Sequence, residues 1–164
     1  IGSSTHLGFE LFALSAGIKI RHIPYKGLPL AMIDLVAGNT SLVFDSVPSA
    51  TPHIKSGRVR VLAIGSPQRS PSLPDLPTVA ESGLPGYEMG SWYGLFAPAA
   101  TPKEIVQRLA AETVKASTSA DVRARFAGAG TDQLGLSAEE SAALLAREIE
   151  RWSKVARQAQ IKAE

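Results

Sequence analysis

The chain has 164 residues, enough for one domain or parts of two. Hydrophobic residues make up 45% and charged residues 20%, the balance of a globular protein and not of a disordered one. Its 17 Lys and Arg against 15 Asp and Glu leave a net charge of +2 without a basic block, which argues against a nucleic acid partner. The lack of cysteine excludes disulfides, zinc–thiolate sites and thiol catalysis.

In chain order, Ser3, Ser4 and Thr5 are helix-capping residues, and Leu7, Leu11 and Leu14 follow at helical spacing until Gly17. Residues 18–23 alternate with period two and predict a strand with Ile18, Ile20 and Ile23 partly buried. Pro24, Tyr25, Lys26 and Gly27 break it. A second helix is predicted over residues 29–37, a short apolar strand over 42–44 and a proline-limited helix over 47–55. Residues 59–64 predict a further strand. Pro67, Pro71, Pro74, Pro77 and Pro85 then mark an extended connection with one helical turn near residues 78–82. Residues 92–97 read as a strand. Beyond them Thr101, Pro102 and Glu104 form one capping-box pattern, and Ser137 and Glu140 a second. Leu145, Ile149, Trp152, Ala156 and Ala159 form an amphipathic stripe on the last helix.

Helices alternating with strands up to Ile64 argue for an α/β layer with parallel strands, which place ligand loops at the strands' C-terminal ends. Two such ends are the turn of Tyr25, Lys26 and Gly27 and the acid Asp45. Ser3, Ser4, Thr5 and His6 open a helix, where backbone N–H groups and the dipole favour a carboxylate or phosphate. Each of these segments taken singly reads more often as an ordinary cap or turn. Asp45 has two equal roles: accepting from a ligand's ammonium or hydroxyl, or capping the next helix. Ser4, His6 and Asp45 are the residue types of a hydrolytic triad, but no G-x-S-x-G elbow is present. His6, His22 and His53 have no metal-ligand spacing, His22 reads as structural, and no cofactor motif occurs.

Several phrases together say more than each alone: residues 2–7 (GSSTHL), 22–27 (HIPYKG), 34–38 (DLVAG), 44–50 (FDSVPSA), 73–78 (LPDLPT), 80–88 (AESGLPGYE) and 92–98 (WYGLFAP). In this order the chain resembles, over essentially its whole length, the Bug family of extracytoplasmic receptors of tripartite tricarboxylate transporters. The resemblance implies an α/β, type II periplasmic-binding-protein-like fold, of which this is the C-terminal half. Residues 1–90 would then be the second, ligand-contacting domain without its first strands. Residues 91–164 would be the crossing strand and the helices that complete the first domain. It implies a binding protein of the periplasm, not an enzyme, with no cofactor. The ligand is a small organic acid or amino-acid carboxylate, and the partner a membrane permease. The binding residues carry over to Ser3, Ser4, Thr5, His6, Tyr25, Lys26, Gly27 and Asp45. About as much chain again is expected before Ile1, so the C-terminal helices should leave an apolar face wet, a surface for self-association. The competing expectations are a small α/β hydrolase using Ser4 and His6, and a receptor that binds only a protein partner.

Overall fold

The computed structural model of the protein describes residues 2–70, 73–129, 131 and 133–161; Pro71 of the connection lies outside them. Two compact units are present, Ile1–Gly90 with Val155–Glu164, and Ser91–Lys154.

In the first unit, α1 (Ser4–Ala16) begins where Ser3, in extended conformation, accepts the N–H of His6. It ends at Gly17, whose φ of 64° is the left-handed conformation that glycine adopts without a Cβ clash. Both ends follow the sequence. The buried face does not: His6, Phe9 and Ala13 point inward, whereas Leu14 of the expected leucine stripe is 43% exposed. The cause is aromatic packing. Phe9 and Phe12 both meet Phe44, and Phe12 also meets the edge of Tyr87. The Tyr87 hydroxyl donates to the carbonyl of Gly8 at 2.9 Å. The absence of a Cβ at Gly8 lets Met89 close on the helix, since a Cβ there would lie 2.5 Å from the Met89 Cγ.

Helix α2 (Leu28–Val36) starts one residue earlier than expected and buries Ala31 and Met32. Helix α3 (Val47–Lys55) is capped by Ser46, which accepts the N–H of Ser49, and buries none of its residues. The four predicted strands do not form a sheet among the described residues. Their sole β pairing is an isolated parallel bridge between Ile64 and Thr78. Ile18 and Ile23 are exposed, not partly buried. Period-two alternation makes a segment ready for a sheet, but a strand exists only against a neighbour's N–H and C=O groups.

The proline-rich connection is tied back to the end of the segment before it. Ile64 donates to Pro77 O and accepts from Val79 N, and Met89 donates to Gly65 O at 2.7 Å. Its helical turn carries a reciprocal cap that sequence reading did not list: Thr78 N–H donates to Glu81, and Glu81 N–H to the Thr78 hydroxyl. Thr78 is 1% exposed, and Arg69 Nε donates to both oxygens of the Glu81 carboxylate.

The second unit contains α4 (Lys103–Ser117), α5 (Ala120–Gly128), which packs on it, and most of α6 (Ala138–Gln158). The capping box at Ser137 and Glu140 is present in both directions. The one expected at Thr101 is not. Helix α4 starts at Lys103, with Pro102 extended at its cap position and no side-chain cap bond. A proline at that position has no N–H for Glu104 to accept, so the reciprocal half of the box cannot form there. Tyr93 is 94% exposed, and Leu95, Phe96, Ile105, Leu109 and Ile149 are exposed too. None of the described helices is long and apolar enough to cross a membrane.

Candidate functional site

The start of α1 is a small polar knot. Ser3 Oγ accepts from His6 N at 3.3 Å and lies 3.0 Å from the Thr5 hydroxyl. The backbone N–H of Gly2 donates to His6 Nδ1 at 3.0 Å. No acidic residue stands in the first turn, so nothing there offsets the positive end of the helix dipole. Ser3 and Ser4 are exposed, Thr5 is half-buried and His6 is buried. The knot therefore presents hydroxyls and a positive helix end to solvent, with the imidazole beneath as support.

His6 is fixed from two further sides. Its Nε2 lies 3.5 Å from Glu10 Oε1 one turn on, and its ring stacks on His22 with centroids 4.0 Å apart. Each ring nitrogen of His6 thus already has a partner other than Ser4, which is not how a base is held for a serine nucleophile. Burial, then the neighbouring His6, lower the pKa of His22. His22 also touches Phe9. The stacking of His22 and Phe44 on α1 brings against it the two segments that lead into Tyr25 and Asp45.

Tyr25 does not extend a free hydroxyl. It donates to Asp34 Oδ2 at 2.7 Å, while Asn39 donates to Asp34 Oδ1 at 3.1 Å. Sequence reading missed Asp34 in this role, although it sits in one of the family phrases. The Tyr25 hydrogen bond, then that of Asn39, hold the Asp34 carboxyl below its ordinary range, and the same bond raises the Tyr25 hydroxyl. Since Asp34 is the depressed member, its contribution to stability is present at neutral pH and is lost as pH falls through the lowered value. Asp34→Asn is expected to melt below the parent at pH 7, with the gap closing as both are taken below about pH 4. Melting curves from pH 3 to 7 check this, and a constant gap would contradict it.

Lys26 is exposed beside this turn. Gly27 has φ 127° and ψ 154°, a conformation essentially confined to glycine, and serves as the cap position of α2. At Asp45 the two sequence roles separate. The cap of α3 is Ser46, not Asp45. Asp45 Oδ1 accepts from the Ser46 N–H at 2.7 Å, and Oδ2 is buried with no hydrogen-bond partner. A buried carboxylate oxygen in that state is costly, which favours a donor from outside the described residues. A cavity of about 450 Å³ lined by Ile54, Val59, Val61 and Leu76, among others, includes none of these residues. Its walls are mostly aliphatic.

A family described as "Tripartite tricarboxylate transporter family receptor" matches residues 1–161. The structure of R. palustris Rpa4515 with adipate is similar at a TM-score of 0.85 and 37% identity, over 97% of this chain and 53% of that one. The periplasmic binding protein BugD gives 0.81 and 32%, over 100% and 56%. MatC from Rhodopseudomonas palustris with bound malate gives 0.76 and 34%, over 94% and 53%. The chain thus spans about half the length of each. The α/β, type II periplasmic-binding-protein-like class read from the sequence is the class of these neighbours.

Proposed function

This chain belongs to the receptor family of the tripartite tricarboxylate transporters, and from that membership we propose that it captures a small carboxylate in the periplasm for a transporter permease. It is a binding protein, not an enzyme. The observation that carries the reading is the fold shared with two proteins holding adipate and malate, both dicarboxylates. Short dicarboxylates are therefore the first ligand class to test.

The residues support this chemistry in a specific way. One carboxylate end sits at the start of α1 and accepts from Ser3, Ser4, Thr5 and the first-turn backbone. Lys26 adds positive charge at the neighbouring turn, and Gly27 keeps that turn's backbone close. Asp45 accepts from a hydroxyl, ammonium or water on the ligand's other side. The exposed Ile105, Leu109 and Ile149 belong to the C-terminal helices through whose apolar face self-association is expected.

The test is a thermal titration of the chain with adipate, malate and the uncharged diols of matching length, because a ligand of the folded state alone must raise the melting temperature. A saturable rise with an acid but not with its diol is expected. Ser3→Ala and Thr5→Ala should each then weaken binding by about fivefold, the equivalent of one lost hydrogen bond of about 1 kcal/mol. Equal responses to acid and diol, or no response to any carboxylate, would overturn the proposal.

A further inference from the structure

Two histidines and a glutamate that are apart in sequence meet beneath the α1 knot. His6, Glu10 and His22 each offer a donor atom, and the three atoms lie within 4.8 Å of one another. From this juxtaposition we infer that His6, Glu10 and His22 form a binding site for a divalent transition-metal ion, of which zinc is the first candidate.

The donor set suits such an ion. Two imidazoles with one carboxylate match zinc, nickel or copper and differ from the all-oxygen sets of calcium and magnesium. Ligand atoms about 2.1 Å from a tetrahedral ion lie about 3.4 Å from each other. His6 Nε2 and Glu10 Oε1 already stand 3.5 Å apart. The His6 and His22 rings are stacked 17° from parallel, and their in-plane lone pairs do not converge there, so ligation requires His22 to tilt out of the stack. The Glu10 side chain, part-exposed at 22%, has room to turn. The backbone brings the three together: His6 and Glu10 share one face of α1 four residues apart, and the segment carrying His22 lies against His6. Three protein ligands leave a fourth position for water, and the exposed side of Glu10 gives the ion a way in.

Ligation has a structural consequence. His6 Nδ1 accepts the N–H of Gly2, so in neutral His6 the ring proton is on Nε2. For Nε2 to ligate, that proton must move to Nδ1, which then donates and no longer accepts. The Gly2 N–H must release the ring, and the exposed Gly2–Ser3 backbone must rearrange. Metal occupancy is thereby linked to the turn that opens α1.

The experiment needs no carboxylate, so its outcome is separate from that of the function proposed above. Tag-free chain is titrated with zinc by calorimetry, and cobalt(II) is followed by its visible absorption. One ion per chain is expected. Glu10→Gln and His22→Gln should each lower zinc affinity by at least about tenfold, the loss that even a supporting group around a metal incurs. His53→Gln should leave it unchanged, and circular dichroism confirms that each variant is folded. Glu10→Gln alters a part-exposed side chain and keeps the test valid if His22→Gln fails to fold. No saturable zinc binding, binding that survives Glu10→Gln, or binding lost in His53→Gln would each overturn the inference.

Discussion

Replacing Tyr87 with alanine is expected to destabilise the protein by about 3–5 kcal/mol, the range for truncating a buried aromatic side chain. Tyr87 is 3% exposed and reaches α1 from a connection nearly eighty residues away in sequence. Its ring meets Phe12 edge-on, and its hydroxyl donates to the Gly8 carbonyl. Truncation removes both contacts and leaves a void where Met89, Gly8 and Phe12 converge. A loss of that size is a large fraction of a domain's whole stability. The expected signature is therefore a broad, non-cooperative melt. Tyr87→Phe separates the two contributions: it keeps the ring, loses the hydrogen bond and should cost only about 1 kcal/mol. Urea unfolding of both variants checks the pair, and equal losses would show that the hydroxyl, not the ring, holds the connection.

Gly27→Ala is expected to cost about 2 kcal/mol by backbone strain and to weaken carboxylate binding as well. No crowding opposes the new methyl group, whose nearest neighbour would be Pro29 Cδ at 3.7 Å. The penalty comes from φ 127°, where an L side chain meets its own backbone. The chain escapes by re-forming the turn, which displaces Lys26 and the Tyr25–Asp34 pair and moves the start of α2. Gly17→Ala serves as the comparison, since its φ of 64° is the milder left-handed region and it stands at the far end of α1. Both variants should melt lower, but Gly27→Ala alone should alter the adipate and malate titrations. Unchanged titrations would remove the Tyr25–Gly27 turn from the site.

The residues of the site differ in how far sequence alone reveals them. Ser3 among the capping residues, Gly17 as stop and Gly27 in the break before α2 are legible because each acts within about four residues of itself. The same holds for the Ser137–Glu140 box, where the carboxylate is held below its ordinary range by the Ser137 N–H and hydroxyl. Asp45 is legible as a candidate but not in its role. Its neighbour Ser46 has the same capping chemistry, and only the folded chain decides that Ser46 caps α3.

Legible from the residues alone were the helices, the Ser137–Glu140 cap, the glycine and proline breaks and the family phrases that point to a carboxylate receptor. These are short-range features, set by backbone sterics and by side chains reaching their own chain. Tertiary structure alone decided which face of α1 is buried, that Tyr25 is held by Asp34, and that His6, Glu10 and His22 converge. It decided as well that the alternating segments stay unladdered among the described residues, apart from the bridge at Ile64. Each of these depends on a partner distant along the chain, and periodicity records a segment's readiness for a partner but not the partner itself.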